Sequence, residues 1–443
     1  MPPEETTEQL LDAVQQAWKR SDDLFAIVRP AALLERPVPL RNPLVFYVGH
    51  LPAFCWNMLG KSVLERGSDQ PDLDRLFDFG IDPEDESGVP EEPDWPALDA
   101  VHAYRDHVRG RILACAPEIE ERAPDHVLAR HGRILHLMLE HELMHHETLL
   151  YLLQELPPES KVRPAHWPET VTGDARVGAR VLRVEGGPVA LGADFDGQPF
   201  GWDNEFPQRT RRVAPFSIDS TPVTVAQFRD FVDAGGYEAA EHWDPRAFAW
   251  VRERGLRRPK DWCEVEGRPA LRALFEVLPL DDVGGWPASV SWSEADAYAR
   301  WKGGRLPREE ELFLLTYTDP EGGQRTWPWG EAAPAAEHGN FDFHHGAPTP
   351  VGSHPAGDGA FGVTDVLGNG WEWTGTVFAE HPGFTPWVEC YAGYSRDFFD
   401  GAHYVVHGAS WATDRRLLRR SFRNWYRYNY PYPFTKFRVA YDD

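Results

Sequence analysis

Cysteine is scarce in this chain: four residues in 443, Cys55, Cys115, Cys263 and Cys390, with no C-x-x-C pair among them. That scatter excludes a disulfide scaffold and points to a reducing, cytoplasmic setting. Positive charge is short as well. Against 70 Asp and Glu stand 45 Lys and Arg, a formal charge of −25, which argues against nucleic acid or an anionic membrane surface as the partner. Long apolar runs are missing, since no window approaches the ~20 consecutive apolar residues that span a bilayer. The start, Met1-Pro2-Pro3-Glu4-Glu5, lacks the basic cluster and apolar stretch of a secretion signal. There is no internal repeat. What remains open is small-molecule chemistry.

The length suits two or three domains, and the chain reads in two grammars. Residues 7–156 carry helical patterns: one over Glu8 to Ile27, and a second opening at Asn42-Pro43 and running through Tyr47, His50 and Phe54, with a kink expected at Pro52. An acidic, Pro-rich connection covers residues 69–96. A third pattern passes Val101, Tyr104, Val108 and Ile112, and a fourth opens near Asp125 and closes before Pro157. Four helices with one long crossover make a four-helix bundle, in which metal sites are built from inward-facing side chains. From about residue 178, short strand-like pieces (Val181–Val184, Val213–Ile218, His403–His407) alternate with Gly, Pro and Asn turns. Two amphipathic helices, Val225–Ala234 and Ser293–Trp301, interrupt them. With 18 Trp, 38 Gly and 39 Pro in the chain, this half is expected to be a loop-rich module pinned by large rings. The fold class is therefore α+β and multidomain: a bundle over 1–163, a linker over 164–177 and a second domain over 178–443.

The fourth helix holds the informative residues. Ile134, Met138, His141, His145, Leu149 and Leu152 fall on one face at spacings of three and four, so two imidazoles point inward with the apolar side chains. Burying two such rings is costly unless something pairs with them. Neutral imidazole is the commonest metal ligand of proteins, and His50 lies on the inward face of the second helix. Three imidazoles leave positions open on an octahedral metal, which marks a reactive site. Nitrogen ligation suits Fe(II), Zn or Cu alike. His126, His131, His136 and His146 lie off the stripe and read as solvated or supporting. The segment His141-Glu142-Leu143-Met144-His145 also matches HExxH, the zinc-peptidase pattern in which Glu142 is the general base.

Both halves together resemble the non-heme iron sulfoxide synthases of ergothioneine biosynthesis. These join a DinB-like bundle to a formylglycine-generating-enzyme-like, C-type-lectin-related domain. The resemblance rests on Gly49–Phe54, His141–Glu147, Phe200–Glu205, Thr221–Phe228, Pro287–Trp292, Gly304–Pro307, Gly368–Thr374 and Ser421–Trp425, in order and spacing. It implies Fe(II) on His50, His141 and His145. It also implies coupling of the imidazole C2 of a trimethylated histidine betaine (hercynine) to cysteine or γ-glutamylcysteine, with consumption of O2. An Fe(II) with open positions gathers the reactants into one bound geometry. The betaine-contacting pair falls on Asn424 and Trp425, with Tyr426 next; a trimethylammonium group suits an aromatic face. Relatives place a glutamine where this chain has Met144. The tyrosine that protonates reduced oxygen maps to Tyr394 or Tyr104, with Tyr394 preferred. Arg105 and Arg109, one helical turn apart, are candidates for a clamp on the thiol donor's carboxylate; Arg423 is another candidate, or pairs with an internal acid. Copper chemistry of true formylglycine-generating enzymes is excluded, because Cys390 is the single cysteine after residue 300. Asp365 and Asn369 are candidates for calcium. The alternatives are selenium in place of sulfur, as in selenoneine synthases, a zinc peptidase, and a silent lectin-like binding protein.

Overall fold

The computed structural model describes residues 5–78, 88–89 and 91–442. Part of the acidic connection expected over 69–96 lies outside them. The chain forms two compact units. The first gathers Met1–Ala165 with two short segments from later in the chain, Asp196–Phe200 and Val388–Tyr391; the second holds the remainder.

In the first unit, α1 (Thr7–Phe25) opens with a capping box. The Thr6 hydroxyl accepts from Gln9 N at 3.2 Å and the Gln9 side chain accepts from Thr6 N at 2.8 Å, satisfying two otherwise orphaned amides. Helix α2 (Leu44–Trp56) is buried along its whole length, which is why it shows no polar face to read from the sequence. Pro43 is its cap; Asn42 makes no capping hydrogen bond. Pro52 does not end the helix. The winding changes beyond it, where Asn57–Val63 widens into π-helical turns. A short α3 (Pro71–Leu76) precedes α4 (Leu98–Arg122) and α5 (Arg133–Glu155). Helix α5 opens eight residues later than expected, because His131 and Gly132 adopt left-handed φ of 57° and 62° and break any helix begun at Asp125. The segment Asp196–Phe200 docks at the start of α5: Arg133 Nε donates to Pro199 O at 3.0 Å and the His136 ring stacks on Phe200.

The second unit begins with β1 (Val181–Val184), β2 (Gly187–Leu191), β3 (Arg209–Val213) and β4 (Phe216–Asp219). The single strand expected over Val213–Ile218 is thus two, separated at Ala214-Pro215, where proline has no amide to give a ladder. Helices α6 (Val225–Asp233) and α7 (Pro245–Glu253) follow. A small antiparallel sheet of β5 (Trp262–Val265), β6 (Arg268–Arg272) and β7 (Val277–Pro279) precedes α8 (Trp292–Trp301) and α9 (Glu309–Tyr317). Then come β8 (Gly370–Val377), α10 (Gly393–Arg396), β9 (His403–Ala409), β10 (Asn424–Arg427), β11 (Thr435–Lys436) and β12 (Ala440–Tyr441). The main sheet has the order β10-β9-β8-β11, with β11 parallel to β8. Trp202, Trp286, Trp371, Trp373 and Trp411 are all fully buried, so large rings do pin the irregular backbone here.

One buried histidine of this unit makes its stability sensitive to acid. The Thr316 hydroxyl donates to Leu312 O at 2.7 Å, so its oxygen must accept from Nε2–H of His407 at 3.0 Å. Burial pushes this imidazole down to about 4. Between pH 6.5 and about 4 the unfolded chain therefore binds a proton that the folded chain refuses. The stability His407 allows at neutral pH is lost as pH falls through that window, by up to roughly 3 kcal/mol. Replacing His407 with glutamine is expected to flatten the slope of unfolding free energy between pH 6.5 and 4.5, measured by urea titration at each pH. An unchanged slope rules the residue out as its source.

Candidate metal centre

Helices α2 and α5 bring His50, His141 and His145 together, with one ligand nitrogen from each lying within 4.8 Å of the others. Among the described residues this is the one such group of three or more His, Cys, Asp or Glu. His50 and His141 are buried and His145 is half-buried. His50 Nδ1 stands 2.9 Å from Phe77 O, and since a carbonyl only accepts, Nδ1 carries the proton and Nε2 keeps its lone pair. Burial lowers His50 to about 4. Burial and then the neighbouring imidazoles push His141 and His145 well below the usual range. The trio is thus uncharged at neutral pH and presents lone pairs, the state a metal requires. With no carboxylate in the set, the donors fit a divalent transition metal of borderline softness, not Ca2+ or Mg2+.

Aromatic side chains of α2 back all three rings. Phe46 stacks on His50 with centroids 4.8 Å apart, Phe54 on His141 at 3.5 Å, and Tyr47 tilts against His145 at 5.7 Å. From the late segment of this unit, Tyr391 meets Phe54 edge-on at 5.2 Å, and Cys390 Sγ lies 3.5 Å from Met58 Sδ.

Helix α5 carries a second pair at i, i+4, Glu142 and His146, about 100° around the helix from the first. Glu142 accepts from the Ser21 hydroxyl of α1, which also lies 2.9 Å from His146 Nε2. Burial raises Glu142 to about 7. The peptidase reading needs this carboxylate beside the metal-bound water, and here it is turned to α1 instead. His146 is fully buried and bonded to α1, so it is not solvated.

Other expectations are corrected by partners that the sequence did not reveal. Arg105 and Arg109 do share a face, but both reach Asp22 of α1, Arg105 at 3.2 Å and Arg109 through two contacts at 2.8 and 3.0 Å. The carboxylate that this pair holds here is that of the bundle's own Asp22. Arg423 is buried against Glu309 at 2.7 Å and donates to Ala379 O, the internal pairing. Tyr104 donates to buried Asp74 at 2.8 Å, and its pKa is raised by burial and by that carboxylate. Asn369 Oδ1 already accepts from Asn340, Thr349 N and the Thr349 hydroxyl, and Asp365 Oδ2 accepts from Gly352 N, so the Asn369 oxygen and one Asp365 oxygen serve the protein's own loops.

Tyr394 belongs to the second unit, stacked on Trp202 at 4.0 Å and edge-on to Trp425 at 5.3 Å. Trp425 has one face against Phe378 at 4.1 Å. Asn424 Nδ2 lies 3.3 Å from the Tyr426 hydroxyl. All three residues of this stretch are half-buried on β10. Met144, next to His145 in the chain, is half-buried, and its thioether has no proton to donate. Tyr391, which no sequence pattern singles out, stands three residues before Tyr394.

Residues 13–149 match the DinB superfamily and residues 168–443 the sulfatase-modifying factor enzyme 1-like domain. The chain is 36% identical over 397 residues to a hercynine oxygenase of Mycolicibacterium smegmatis, covering 87% of this chain and 88% of that protein. It belongs to the hercynine oxygenase family. A second hercynine oxygenase, from Mycolicibacterium thermoresistibile, is 32% identical over 95% of this chain and 91% of its own length. Ergothioneine biosynthesis protein 1 of Neurospora crassa is 28% identical over 98% of this chain and 57% of that longer protein. Two separate domain matches in this order are what the resemblance in the sequence led one to expect. No helix among the described residues is long and apolar enough to cross a membrane.

Proposed function

We propose that this member of the family is an Fe(II)-dependent sulfoxide synthase. It joins the imidazole C2 of Nα-trimethylhistidine to the sulfur of cysteine or γ-glutamylcysteine in ergothioneine biosynthesis. The observation that carries the reading is the cluster of three uncharged imidazoles without a carboxylate. The reaction balances as one C–H and one S–H against O2: a C–S bond forms, one oxygen goes to sulfur and the other leaves as water. Iron held by His50, His141 and His145 would supply the redox chemistry that couples O2 reduction to these steps.

The protein's own groups then have definable tasks. The three histidines bind the metal without adding charge. Water formation needs protons, and a donor must be recharged from solvent. Tyr391 is half-exposed and one ring away from His141, whereas Tyr47 is buried, so we assign proton delivery to Tyr391. Asn424, Trp425 and Tyr426, with Tyr394 beside Trp425, are assigned to the betaine, whose trimethylammonium group is attracted to aromatic faces. The four unbridged cysteines support a reducing, cytoplasmic site of action.

Metal analysis followed by anaerobic Fe(II) loading tests the reading. Oxygen uptake is expected only when trimethylhistidine and a thiol are both offered, with a product of mass equal to the two joined by one new C–S bond, less two hydrogens and plus one oxygen. Uptake indifferent to the betaine would make the protein a thiol oxygenase. A preference for selenium donors would make it a selenoneine synthase.

A further inference from the structure

A ligating imidazole ordinarily donates its second ring N–H to a carboxylate, a carbonyl or water, and that bond fixes the plane of the ring. His50 follows the rule through Phe77 O at 2.9 Å. His141 and His145 depart from it. In each the Nδ1 atom is buried with no hydrogen-bond partner. Torsion about the bond between Cβ and an imidazole ring is broad, so a ring without such a partner is free to swing its nitrogens away from a common point.

For His141 a different restraint is present. The Phe54 ring lies over it with centroids 3.5 Å apart and planes within 7°, which is full van der Waals contact across the face. Turning the imidazole out of that plane drives its edge into Phe54. Phe54 cannot retreat, because it is itself 1% exposed and is met edge-on by Tyr391. Phe46 lies against His50 in a looser arrangement, 4.8 Å and 19°, on a ring that already has its hydrogen bond.

We propose that Phe54 is a positioning residue of the metal centre: stacking on His141 does for that ligand what the Phe77 carbonyl does for His50. The proposal rests on the reading of the three histidines as metal ligands. It distinguishes two buried phenylalanines of the same helix, each in ring contact with a ligand. Loss of Phe54 frees its histidine, whereas loss of Phe46 leaves His50 held.

Cobalt(II) serves as the probe, titrated into the metal-free full-length chain while its visible ligand-field bands and its Kd are recorded. The wild-type chain is expected to bind one equivalent. Phe54→Leu should weaken binding by roughly 10- to 100-fold, as removal of a supporting partner does, and alter the band pattern. Phe54→Tyr, which keeps the ring, should stay near wild type. Phe46→Leu should weaken binding by less than about tenfold. Thermal unfolding of the metal-free Leu variants reads the packing loss they share. Should Phe54→Leu not fold, Phe54→Met fills the same space with a flexible chain and is expected to give the same shift. Equal shifts for the Phe46 and Phe54 variants, or none for Phe54→Leu, overturn the proposal. If instead the wild-type chain takes up no cobalt, or His145→Ala binds it like wild type, the underlying metal assignment falls.

Discussion

Replacing His145 with alanine is expected to abolish betaine-dependent oxygen consumption and to weaken metal binding by more than about 100-fold. Loss of a group that merely supports a ligand costs roughly 10- to 100-fold, so loss of one ligand in three must exceed it. No neighbour can substitute. His146 follows directly in sequence, yet it faces α1 and is held by Ser21 and by Ala17 O at 3.2 Å. Glu142 is engaged by Ser21 as well. The variant should remain folded, because His145 is the half-buried member of the trio. Metal content per folded chain and oxygen-electrode traces are the measurements. Turnover and metal content equal to wild type would remove the site from these residues.

The second large effect concerns stability. Glu372, Lys436 and Arg438 are all completely buried in the second unit. Arg438 pairs with both oxygens of Glu372 through Nε and Nη2 and also donates to Ser220 O and Thr364 O, each at 3.0 Å. Lys436 donates to Gly368 O at 2.6 Å and lies 3.9 Å from Glu372. Removing one partner of a buried pair leaves an uncompensated charge and costs about 3–5 kcal/mol. Arg438→Ala also strips two carbonyls of their donors. Its thermal midpoint is expected to fall by roughly 10 °C, while metal uptake by chains that remain folded is unchanged. A shift of a degree or two would mean that water or a rearranged Lys436 replaces the guanidinium.

Periodicity made much of this chain legible. The stripe on α5 exposes two histidines among apolar residues, and nothing but a buried face explains that order. Where the sequence misled, the missing information was a partner distant in the chain. The spacing of Arg105 and Arg109 is visible in one helix, but Asp22, which occupies both, lies on another. HExxH places Glu142 next to His141 in sequence, yet 100° of helical rotation sends it toward α1, where it meets Ser21. Helix α2 offered no polar face to read, since all thirteen of its residues are buried. The opening expected near Asp125 is overruled by conformation, since His131 and Gly132 interrupt any helix before Arg133.

The first unit is not a continuous stretch of chain. It takes five residues from 196–200 and four from 388–391, among them Tyr391. Recombination at a point near residue 165 would therefore graft foreign sequence beside the histidines, even though every ligand stayed with its parent. A chimera built that way would inherit the three histidines from one ancestor and Tyr391 from the other. A crossover that keeps all the segments of the first unit together must instead lie beyond Tyr391.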